Sequence, residues 1–115
     1  MSAHTARRPR PDATPADKGI RELERKAGEA AGLLKLMANE SRLLILCRLF
    51  MAGEMSVTAL AKAVKLSQSA LSQHLAKMRD DGLLATRRDA QTIYYRISDP
   101  NAERLLEQLK DIYCP

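Results

Sequence analysis

Three groups of residues in this chain could do chemistry. The first is a run of small polar side chains, Ser67, Gln68, Ser69, Ser72, Gln73 and His74. The second is Arg87 and Arg88, followed closely by Gln91 and Thr92. The third is a pair of thiols, Cys47 and Cys114. Amides and hydroxyls suit hydrogen bonding to base edges, and arginines suit phosphate. Thiolates attack oxidised sulfur. No CxxC, no local Cys–His pair and no cofactor-binding loop accompanies the thiols, so a thiol enzyme is excluded and no cofactor is expected. The cysteines taken alone are ordinary thiols, one of them a small apolar residue within a helix.

These groups must be positioned by a small fold. At 115 residues the chain has room for one domain with a modest core. Pairing with a second copy would add buried surface. With no tryptophan, and Phe50 as the single phenylalanine, that core must be aliphatic. The net charge of +5 is unevenly spread. Residues 60–98 carry seven basic residues (Lys62, Lys65, Lys77, Arg79, Arg87, Arg88 and Arg96) against three acidic ones (Asp80, Asp81 and Asp89). A solvated surface is the ordinary reading of such charge, but its concentration in one stretch is what a polyanion-binding face requires. No apolar run approaches the ~20 residues that span a bilayer, so no membrane partner is expected. No signal-peptide core is present at the N-terminus, and a cytoplasmic protein without a permanent disulfide is expected.

Residues 1–17 lack apolar periodicity and read as a disordered basic tail, leaving 18–115 as the domain. The first helix is predicted from Lys18 to Ala38, with Leu23, Ala27, Ala30, Leu34 and Met37 forming a narrow stripe suited to another helix. The second runs from Glu40 to Met51, capped by Asn39 and stopped by Gly53. Leu43, Leu44, Leu46, Cys47 and Phe50 make it apolar over a wide arc, so it is expected to be buried. The third, Val57–Val64, is capped by Ser56, and the fourth, Gln68–Asp81, by Ser67, with Lys65 and Leu66 as the turn between them. Gly82 ends the fourth helix. Residues 83–97 form a basic-tipped hairpin in which Ile93, Tyr95 and Ile97 share the buried face. Asp99-Pro100 starts a last helix to Tyr113. The result is a mainly α chain with a β-hairpin between its fourth and fifth helices, the layout of a winged helix-turn-helix.

On the fourth helix Leu71, Leu75 and Met78 face the core. The opposite face, Ser69, Ser72, Gln73 and Ala76 with Gln68 near the start, is short, polar and nearly uncharged. A solvated face would carry more Lys and Glu. A helix entering the major groove of double-stranded DNA needs small polar side chains of this kind. His74 lies ~60° from the core centre by helical geometry. With no second ligand one turn away, packing, or one hydrogen bond to a DNA phosphate or to backbone, suits it better than a metal. Arg88, nearer the hairpin tip than Arg87, is the expected phosphate or minor-groove contact.

From Leu34 to Tyr113 the chain resembles the ArsR/SmtB family of bacterial repressors. The segments that carry the resemblance are Met37–Leu46, Ser67–Leu75, Arg79–Leu84 and Tyr94–Ile97. The resemblance implies a homodimer joined through the first and last helices, a palindromic operator and an inducer that releases DNA. Ala59 stands where many relatives carry a glutamate that would complete a capping box with Ser56. The metal sites of the family are not matched, because Val57–Lys62 offers no thiolate or imidazole, the last helix has no histidine and His4 lies in the tail. Cys47 and Cys114 instead match the subgroup of sulfide-responsive and HlyU-like regulators, in which two such cysteines act as a dithiol switch. That implies a reactive sulfur species or oxidant as inducer. The alternative is an architectural or anti-silencing DNA-binding protein without a thiol switch.

Overall fold

The computed structural model describes residues 15–114, with side chains from 17 to 114. The chain divides into two compact units, with the boundary after Gly32. The first unit contains α1 (Pro15–Arg25) and the first turns of α2 (Ala27–Met37). One continuous helix was expected here, and the regular ladder is instead interrupted at Lys26. Its N–H is shared between the carbonyls of Glu22 and Leu23, 3.1 Å from each. Such a shared bond tightens the turn locally, and the ladder resumes where Ala30 donates to Lys26 at 3.0 Å. The expected tail lies outside the described residues as far as position 14, and residues 15–17 form the first turn of α1.

The second unit begins at Leu33 and holds the core. Its helices are α3 (Glu40–Ala52), α4 (Val57–Val64), α5 (Gln68–Asp80) and α6 (Pro100–Tyr113). Each starts at a side-chain oxygen that satisfies an orphan N–H of the first turn. Asn39 accepts from the Arg42 N–H, Ser56 from Ala59, Ser67 from Ala70, and Asp99 from Asn101 and Ala102. The Ser56 cap forms without a glutamate at position 59. Gly82 ends α5 with φ +83°. Its N–H donates to Arg79, and the Leu83 N–H reaches back to Met78 at 2.8 Å, a Schellman closure whose apolar pair, Leu83 and Met78, is buried.

Strands β2 (Leu84–Asp89) and β3 (Thr92–Ile97) pair antiparallel, with Leu84 opposite Ile97 and Asp89 opposite Thr92. A third strand, β1 (Met55–Ser56), adds to the other edge of β3 through Met55–Tyr95 and Ser56–Tyr94. Ser56 was expected only as the cap of the helix that follows, and no strand was expected here. The core gathers Ile45, Leu46 and Leu49 of α3, Leu60 of α4, Leu71, Leu75 and Met78 of α5, Tyr95 and Ile97 of β3, and Leu106 of α6. Burying each large aliphatic side chain contributes roughly 1.5–3 kcal/mol before entropy is counted.

The α3 expectation needs a correction. Leu46 is buried, but Leu44 is 49% exposed and Cys47 is also exposed. The wide apolar arc is two stripes. One packs inward, while the other, Leu44, Cys47 and Met51, faces outward because a chain this small has core for only one.

Candidate nucleic-acid interface and thiol pair

Helices α4 and α5 are joined by Lys65 and Leu66, with Lys65 in the left-handed conformation (φ 57°, ψ 42°) and its N–H donating to Ala61. A non-glycine residue there is uncommon, and the sharp turn it makes is that of a helix-turn-helix. Leu71, Leu75 and Met78 anchor the inner side of α5, at most 1% exposed. Gln68, Ser69, Ser72 and Gln73 lie exposed on its other side. Ser67 is also exposed, but its Oγ is committed to the cap, 3.1 Å from the Ala70 nitrogen. The cations on α5 are paired with acids of the same segment, Lys77 with Asp81 at 3.1 Å and Arg79 with Asp80 at 3.2 Å. The face ahead of them is therefore polar and uncharged.

His74 is not on that face. It is half-buried, and its Nδ1 accepts a hydrogen bond from Arg42 Nε at 3.3 Å. The imidazole proton therefore lies on Nε2.

The hairpin places its residues on two faces. Arg88 sits opposite Ile93, whereas Thr92 sits opposite Asp89 on the face shared by Arg87 and Tyr94. Gln91 lies in the loop beside Ala90, whose φ of 58° supplies the positive angle of a two-residue hairpin turn. Arg88, Gln91 and Thr92 are all exposed. Arg88 has no ion pair among the described residues. Arg87 is engaged, forming a two-point contact to Glu54 at 2.7 and 3.0 Å and lying 4.5 Å over the Tyr94 ring. The Arg87 hydrogen bond, aided by the charges of Arg87 and Arg96, holds the Glu54 carboxyl below the usual glutamate range. Sequence reading missed this clamp, since 33 positions separate Glu54 from Arg87. The charge complementarity of the two residues was the only signal.

Cys47 lies midway along α3 and Cys114 just beyond α6, where its N–H caps the helix on Lys110. Helix α3 packs on α6, and both thiols are exposed. Neighbouring atoms still partly desolvate the Cys47 sulfur and push its thiol up, and the charge of Cys114 pushes it further. The two sulfurs thus sit within electrostatic reach of each other. Among the described residues no His, Cys, Asp or Glu group is arranged to hold a metal ion.

A helix-turn-helix with a polar, uncharged outer face, backed by an antiparallel hairpin with an unpaired arginine, defines a winged-helix DNA-binding regulator. Residues 39–86 match the bacterial regulatory protein, arsR family. The chain is 48% identical over 99 residues to the transcriptional activator HlyU of Vibrio cholerae, covering 86% of this chain and 91% of that one. Reduced HlyU from Vibrio cholerae superposes with a TM-score of 0.77 at 48% identity, over 83% of this chain and 99% of that one. The transcriptional repressor BigR from Xylella fastidiosa gives a TM-score of 0.78 at 35% identity, over 84% and 97%. This chain belongs to the ArsR family of bacterial DNA-binding transcriptional regulators. Among the described residues no helix is long and apolar enough to cross a membrane.

Proposed function

We propose that the chain is a homodimeric repressor that seats α5 in the major groove of a palindromic operator and is released when Cys47 and Cys114 are cross-linked. The reading is carried by the exposed row Gln68, Ser69, Ser72 and Gln73, which offers donors and acceptors to base edges without competing charge. Arg88, Gln91 and Thr92 at the wing add contacts to the backbone or minor groove. Leu34, Leu44, Met51, Ile112 and Tyr113, between 49% and 77% exposed, supply apolar surface for a second copy. A dimer matches half-sites about 34 Å apart, one DNA turn.

The switch is supported by two accessible thiols on packed helices that sense each other's charge. One thiolate attacks the outer sulfur of a persulfide, RSSH, giving protein–SSH and RS⁻. The second thiolate attacks the protein-bound sulfur of that group, forming the disulfide and expelling HS⁻. The persulfide is reduced and the two thiols are oxidised. A plain disulfide requires Cα atoms within ~7 Å, and a wider gap takes additional bridging sulfur. The bridge ties the end of α6 to α3, and α3 packs on α4, which packs on α5. A change in the spacing of the two reading helices that costs ~3 kcal/mol lowers affinity about a hundredfold.

The test is operator binding by the reduced protein, the polysulfide-treated protein, and treated Cys47→Ser and Cys114→Ser. Release of treated wild type alone is expected. Equal affinity in all samples rules the switch out, and mass spectrometry of the bridge identifies the inducer class.

A further inference from the structure

We infer that Arg42 and His74 form a positioning pair that sets the rotation of α5 about its own axis. The inference rests on α5 being the helix that reads DNA. The inner side of α5 is held by Leu71, Leu75 and Met78, whose apolar contacts have no direction and tolerate small rotations. The bond from Arg42 Nε to His74 Nδ1 is the one side-chain hydrogen bond that joins α5 to another helix among the described residues. His74 lies between the exposed Gln73 and the buried Leu75, at the edge of the reading face. A change of angle there moves Gln73 and Ser72 directly.

Arg42 is itself well fixed. Its backbone N–H is held by the Asn39 cap at 3.1 Å, and its Nη1 donates to the Leu36 carbonyl at 3.3 Å. That carbonyl belongs to the last turn of α2, where carbonyls lack helical partners and a cation is favoured. One half-buried guanidinium thus joins the α2–α3 corner to the reading helix. His74 is a positioning residue, with Nδ1 turned toward Arg42 of α3.

The bond also needs a neutral imidazole, because a protonated ring has no acceptor and would face a guanidinium. Among the described residues no charged side chain other than Arg42 is in hydrogen-bond or ion-pair contact with His74. Helix α4 and strand β2, which also pack on α5, place none there. The charges on α5 and its cap pair as Lys77–Asp81 and Arg79–Asp80.

The test uses the full reduced chain and a duplex selected from random sequence by the wild type, against a scrambled duplex of equal length. His74→Leu and Arg42→Met should each weaken selected-duplex binding about tenfold, with scrambled binding changed less than about twofold. The double variant should be no worse than the weaker single. His74→Asn, whose amide oxygen falls near the Nδ1 position, should recover to within about threefold of wild type. Losses that multiply in the double variant, or an Asn variant no better than Leu, would each overturn the pairing. The Asn–Leu comparison leaves Arg42 intact, so it holds even if Arg42→Met fails to fold. If α5 is not the reading helix, alanine at Gln68 and Gln73 leaves selected-duplex binding unchanged, a result separate from these.

Discussion

Cross-linking the two thiols should stabilise the folded chain strongly. Positions 47 and 114 are 67 residues apart, and both sulfurs are accessible on helices already packed together. A bridge between them removes the open conformations of that loop from the unfolded chain, worth roughly 4 kcal/mol by loop-closure entropy. For a domain of this size each kcal/mol moves the melting temperature by about 4–8 °C. The gain should therefore exceed about 10 °C, even if some is lost to imperfect geometry. The assay is a thermal melt by circular dichroism before and after polysulfide treatment, with mass spectrometry confirming an intramolecular bridge. Dithiothreitol should reverse the shift, and Cys47→Ser and Cys114→Ser should show none. A bridged monomer that melts within about 2 °C of the reduced protein would refute the reasoning, because closure would then be distorting the native packing of α3 on α6.

Three further outcomes follow from the packing and electrostatics. Leu75→Ala, at a site 1% exposed beneath the reading face, should cost 2–5 kcal/mol, read as a lower urea midpoint at unchanged slope. Glu54 titrates below an ordinary glutamate because Arg87 bonds its charged form. Any stabilisation from that pair is therefore present above the usual glutamate range and lost as pH falls through the lowered value, and Arg87→Met should return the Glu54 carboxyl resonance to ordinary titration. Cys47 is pushed up by burial first and by Cys114 second. Because burial is the larger cause, iodoacetamide at neutral pH should react more slowly with Cys47 than with an unstructured cysteine peptide, in wild type and in Cys114→Ser alike.

Much of this architecture is legible in the sequence wherever a single residue settles a local question. Asn39, Ser56, Ser67 and Asp99 each cap the helix that follows them, because their side-chain oxygens can only reach N–H groups two or three residues on. Gly82 marks the end of α5 because its left-handed turn suits glycine. The inward triad of α5 and the alternation of β3 are periodic, so they too can be read. Features fixed by distant partners are not. Two residues of β1 carry no period, and Met55 and Ser56 become a strand only because Tyr95 and Tyr94 are there to pair. The outward stripe of α3, Leu44, Cys47 and Met51, is apolar like its inward one. Nothing local distinguishes Cys47 from a core residue. The clamp of Arg87 on Glu54 and the bond from Arg42 to His74 span 33 and 32 positions. For His74 the sequence offers packing or a single hydrogen bond without naming the partner, and Arg42, 32 positions away, is that partner.

The most direct measurement replaces Gln68, Ser69, Ser72 and Gln73 together by alanine, which keeps the α5 core residues and adds helix propensity. Its affinity for a selected duplex is then compared with that for a scrambled one at fixed salt. Preference for the selected duplex should collapse to within about threefold of unity, while scrambled binding persists through backbone contacts. A variant that melts normally and still picks out its duplex as wild type does would mean that sequence is read somewhere other than α5.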